Sequence, residues 1–203
     1  MKTSYPIFSI GAAIVALACS GCATYESSTV QVKDAAQYAN TTEQDKITVA
    51  AELYSDPAKT KDAFYVDLSE KSYYPVQIVI HNQGVSRLLV LKDNVEIDDA
   101  KGNAYKPINV TSMTDTFEHN KMAYALLGFG IFSYMSADDA NKKMAADWSS
   151  KEMPSELIVN TDRKNAGFLY FKMPDGVKPK GMTLVVPVES LETRKNVAFR
   201  LAL

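Results

Sequence analysis

Short runs rich in β-branched and aromatic residues, each closed by Gly, Asn, Asp or Pro, recur along most of this chain and predict a mainly β protein of antiparallel strands. Two further observations shape that expectation. Both cysteines, Cys19 and Cys22, lie at the front of the sequence, so the body has no disulfide framework and no thiolate metal site and must be held by burial. The chain has 203 residues, 46% hydrophobic and 23% charged, enough for one domain with a core and ordinary in composition.

From Ala23 to Lys46 the sequence is polar and carries no sustained hydrophobic period, so residues 22–46 read as a tether with one helical turn around Asp34 to Ala39. Ile47 opens the body, expected over 47–203. Ile47 to Tyr54 has strand composition, and Ser55-Asp56-Pro57 stops it. Asp56 can cap a helix with Pro57 at its first position, which predicts a short helix from Pro57 to Phe64. Strands are then expected at Val76 to Asn82, Leu88 to Leu91 and Val95 to Ile97, with a hairpin connection over Asp98 to Asn103 leading into Ala104 to Ile108. The last third repeats the texture at Glu156 to Asn160, Gly167 to Met173, Met182 to Val188 and Val197 to Leu203. About eight such strands suit an immunoglobulin-like antiparallel β-sandwich.

The β texture stops for a helical insertion at about 112–150, between the two halves of the sandwich. Asp115, with Glu118 three residues on, reads as a helix start. No charge occurs from Met122 to Ala137, a run that would be about 24 Å long as a helix against a hydrocarbon core of roughly 30 Å, and so is not expected to span a membrane. Tyr124, Leu127, Phe129, Ile131 and Phe132 surround most of its axis, and Gly128 and Gly130 admit a close neighbour. Those five apolar residues form core, a docking surface for a membrane or a partner, or the cover of a small-molecule pocket under the helices. Ala137, Ala140, Met144 and Trp148 then recur at spacings of three and four amid charged residues, as on an amphipathic helix.

Lys2 precedes an uncharged run from Tyr5 to Ala18 that ends in Ala18-Cys19-Ser20-Gly21-Cys22, the layout of an export signal. These residues resemble the lipobox of bacterial lipoproteins, read by signal peptidase II. The resemblance implies a signal peptide over 1–21 and a palmitate-bearing acyl anchor on Cys22, with Cys19 as the alternative acceptor. Neither cysteine is followed by aspartate, which by the same resemblance favours the outer membrane, with the body facing the periplasm. Gly167 to Pro174, Tyr74 to Gly84 and the Asp98 to Asn103 turn resemble a family of uncharacterised envelope lipoproteins with an immunoglobulin-like domain. That resemblance implies architecture and no functional residue.

A net charge of -2, with basic residues scattered among acids, argues against nucleic acid as a partner. The two histidines, His81 in a strand pattern and His119 at the start of the insertion, are not at zinc-ligand spacing. The sequence holds no Gly-x-Ser-x-Gly elbow, and the acids Glu96, Asp98, Asp99, Asp138 and Asp139 stand beside turn or helix-start signals where solvated carboxylates belong. No catalytic residue, metal or cofactor is therefore expected. The function expected is lipid-anchored binding or scaffolding in the cell envelope, through the membrane and an envelope protein partner. Two alternatives stand beside it: a subunit of an outer-membrane or secretion assembly docking through 122–135, and an enzyme acting on envelope glycans or peptidoglycan.

Overall fold

The computed structural model describes residues 27–118 and 134–203, which are mainly β with two antiparallel sheets. In order across the first sheet run β1 (Asn40–Gln44), β2 (Ile47–Leu53), β3 (Tyr73–Asn82), β9 (Arg163–Lys172) and β7 (Pro107–Ile108). The second contains β6 (Ala104–Tyr105), β5 (Glu96–Asp98), β10 (Thr183–Ser190), β4 (Leu88–Leu91) and β8 (Glu156–Val159), with β11 (Asn196–Ala202) on the other edge of β10. Three helices complete the described residues: α1 (Pro57–Phe64), α2 (Val110–Glu118) and α3 (Tyr134–Lys151).

Alternation along the strands sorts side chains into two cores. Val76, Ile78 and Ile80 of β3 and Leu169 and Phe171 of β9 point inward, where they meet Leu88, Val90, Ile97, Leu184, Val186 and Phe199 of the second sheet. The intervening residues face outward. There Tyr73, Phe168 and Tyr170 pack with Phe64 of α1, Met113 and Phe117 of α2, and Met144 and Trp148 of α3. Edge-on ring contacts at 5.0 Å join Phe168 to Tyr54 and to Phe64, and Phe117 meets Trp148 at 5.5 Å; such pairs each add about 0.5–1.5 kcal/mol beyond area burial. Because the first sheet is covered on both faces, every residue of β3 except His81 is buried. That explains a strand whose apolar residues do not alternate with polar ones.

The turn chemistry explains several boundaries. Asp56 accepts from the Lys59 amide at 3.0 Å and Pro57 occupies the first turn, so α1 starts as its sequence predicts. β1 and β2 are joined by Asp45 and Lys46, both at positive φ, the two-residue hairpin geometry that matches strand twist.

The structure departs from expectation at four places. Within the stretch expected as a tether, the expected helical turn is present as a 3₁₀ turn at Ala35–Gln37, but it buries Ala35 and Tyr38 against Ala50 and Val79, and β1 pairs with β2. Two well-placed apolar side chains suffice there, without the periodicity that marks a longer element. Ala104 to Ile108, expected as one strand, divides at Lys106: Tyr105 pairs with Ile97 in the second sheet and Pro107 with Phe171 in the first. Asp115 lies inside α2 rather than at its start, because the helix begins at Val110, where Val110 and Met113 reach the outer core. Asp147, one of the charged residues of the expected amphipathic helix, is buried rather than on its polar face.

Candidate functional site

Helix ends leave carbonyls without intrahelical partners, and α1 ends against α3. Trp148 of α3 donates its indole N–H to the Phe64 carbonyl at 3.2 Å, and Lys151 one turn on donates from Nζ to the Ala63 carbonyl at 2.7 Å. The lysine also suits the negative end of the α1 dipole and lies 5.4 Å from the centre of the Phe64 ring. Asp147 pairs with Lys151 through Oδ2, an i,i+4 ion pair whose side chains are 2% and 10% exposed. A pair so dry is stable only when further hydrogen bonds occupy its remaining donors and acceptors.

The chain supplies those bonds from 120 residues away. Ser27 donates its hydroxyl to Asp147 Oδ1, while Ser28 donates to the Ala63 carbonyl at 2.7 Å and lies 3.4 Å from Lys151 Nζ. From this knot the segment runs across the outer face of the first sheet. Val30 packs against the outer core, Tyr38 donates its hydroxyl to Gln77 at 3.3 Å, and Lys164 of β9 meets Asp34 at 2.8 Å. Residues 27–38 thus form a strap fastened at both ends. Under its first half lies a cleft of about 290 Å³ lined by Ser27 to Val30, Gln77, Ser150, Lys151, Ala166 and Phe168.

Electrostatics along the strap agree with fastening. The Lys164 hydrogen bond and charge hold Asp34 below the usual carboxylate range, and burial pushes the Tyr38 phenol up. In the knot, Lys151 is engaged by a carboxylate and a carbonyl, and Ser28 gives its proton to a carbonyl rather than to a base. That arrangement ties residues 27 and 28 to the ends of α1 and α3.

A second polar knot forms where the chain leaves α3. Lys92, 2% exposed, donates to Glu152 and to Asn109 Oδ1 at 2.9 Å, and Glu152 also accepts from the Val110 amide at 3.1 Å. Elsewhere Asp99 organises its hairpin by accepting from the Lys101 and Asn103 amides at 2.8 and 2.9 Å. Hydrogen bonds from the Asn103 side chain and backbone lower its pKa. His81 is half-buried on β3 opposite Lys164. Among the described residues no group of three or more His, Cys, Asp or Glu gathers to hold a metal ion, and no helix is long and apolar enough to cross a membrane.

The residues singled out from sequence, Cys19, Cys22, Tyr124, Leu127, Phe129, Ile131 and Phe132, lie outside the described residues, as does His119. The strap knot was not among the sequence expectations. Its one sequence signal is Asp147 four residues before Lys151 at a helix end, a spacing that most often marks a solvated pair.

No family model matches the sequence, and no curated protein matches it. Among solved structures it is similar to the yjhA protein of Bacillus subtilis, at 12% identity and a TM-score of 0.38, over 73% of this chain and 78% of that one. It is also similar to an ApaA candidate from Bordetella pertussis, at 13% identity and a TM-score of 0.33, over 77% of this chain and 93% of that one. Scores this low supply no functional reading.

Proposed function

We propose that this chain is a lipid-anchored, non-catalytic protein of the cell envelope, held to the outer membrane by an acyl group on Cys22, or on Cys19, with its body facing the periplasm. The body is an immunoglobulin-like sandwich that binds or scaffolds an envelope protein partner. The observation that carries this reading is the sequence from Lys2 to Cys22, a basic start, an uncharged run and small residues ending at cysteine. Two packed antiparallel sheets support the sandwich. Replacing both Cys19 and Cys22 with serine is expected to remove the acyl mass and release the protein from membranes, and the single replacements identify the acceptor. Retention of the double variant through carbonate extraction refutes the anchor.

The charge-free run from Met122 to Ala137 favours a second reading, a subunit of a larger outer-membrane assembly. Native mass measurement of detergent extracts separates a free-standing protein from a complex.

A further inference from the structure

The strap fixes where the anchor must leave the body. Ser27 is tied to Asp147 and Ser28 to the Ala63 carbonyl, so the described chain begins at the helical layer, beside the last turns of α1 and α3. Only Ala23 to Glu26 separate Ser27 from Cys22. Five Cα steps span at most about 18 Å, and eight steps from Cys19 at most about 29 Å. A body of this size is roughly 40 Å across. The outer face of the second sheet lies beyond two further layers, each about 10 Å deep, out of reach of a lipid on Cys22 and open to one on Cys19 only by a nearly straight path through the body rather than around its edge.

We infer that the lipid bilayer itself is the partner of the helical face: the surface around the last turn of α3, with exposed Ala146, Ser149 and Ser150, rests against the headgroups while the second sheet points away. This rests on the lipid anchor proposed above. The strap acts as a rigid bracket, so the short link sets orientation as well as attachment. A docked orientation leaves the outer face of the second sheet, with Leu89, Ile158 and Pro187, as the side that meets other envelope proteins.

The experiment uses the full acylated chain in vesicles of phosphatidylethanolamine and phosphatidylglycerol that carry a headgroup nitroxide quencher. The cysteine that is not acylated is replaced by serine, and a fluorophore is placed at Ala146→Cys or, on the outer face of the second sheet, at Ala198→Cys. Quenching severalfold stronger at position 146 than at 198 is expected. A flexible Gly-Ser insertion after Ala23, long enough to exceed the width of the body, is expected to erase the contrast while leaving acylation and melting unchanged. Equal quenching at the two positions, or a contrast that survives the insertion, overturns the bracket while leaving the anchor intact. Absence of the acyl mass from the same samples overturns the anchor and the orientation together.

Discussion

At Gly167 a single methyl group decides whether two elements can meet. A Cβ there would lie 2.9 Å from Met153 Cα and 3.1 Å from its backbone nitrogen. The approach is this close because the Met153 amide donates to the Phe168 carbonyl at 2.8 Å and Glu152 bridges to Phe168 as the chain leaves α3. Backbone cannot swing aside as a flexible side chain can, so Gly167→Ala is expected to cost about 1–3 kcal/mol, the range for overpacking a well-filled site. Urea unfolding should show a lower midpoint at unchanged slope. An unchanged midpoint would mean that Met153 yields without cost. The sequence reads Gly167 as the first residue of a strand, and only the structure, in which the strand starts at Arg163, sets it inside one and beside Met153. Lys92 left no signal either, since a lysine in Lys92-Asp93-Asn94 belongs to a solvated turn until Glu152 and Asn109 fold over it.

Among the elements, those with self-contained chemistry were the most legible. The Asp56 cap with Pro57 defined α1 to the residue, and Leu88 to Leu91 matched β4, because each rests on local sequence alone. Less was legible where an element depends on distant partners, as the strap does on α3 and as Pro107 and Ile108 do on β9. The Lys92 knot belongs to this second kind, joining the β4–β5 connection, the start of α2 and the end of α3. Glu152→Ala leaves Lys92 buried without its carboxylate and is expected to destabilise by about 3–5 kcal/mol, whereas Lys92→Met with Glu152→Leu should cost much less. A double-mutant cycle in denaturant measures the coupling. Additive losses in that cycle would show that the two side chains do not act as a pair.

For the whole molecule, one sheet serves two cores, and its outer face is where ionisation can reach the fold. Burial first, then the charge of Glu52 and the neighbouring Tyr38, push the Tyr54 phenol well above its ordinary value. A folded-state pKa raised above the unfolded one, near 10, gives stability fully present below about pH 10 and lost as pH climbs toward the folded value. Melting should therefore decline in strong alkali, and Tyr54→Phe, which keeps the ring between Phe64 and Phe168, should reduce that decline. Identical alkaline profiles for the two proteins would assign the loss to other groups. The strand at Val76 to Asn82 was legible in its apolar run, whereas what covers its outer face was only partly so, because Ala35 and Tyr38 sit in polar sequence.

The strap also imposes an order on assembly. Ser27 leaves the ribosome 120 residues ahead of Asp147, its partner, and Lys164, the partner of Asp34, follows 130 residues after it. Whatever else has formed by then, the Ser27–Asp147 and Asp34–Lys164 ties close only when most of the chain is out. Ala35 and Tyr38 can cover Ala50 and Val79 well before then, so the far end of the strap is seated before the knot at Ser27. The first residues of the body to be made are thus the last to be tied down.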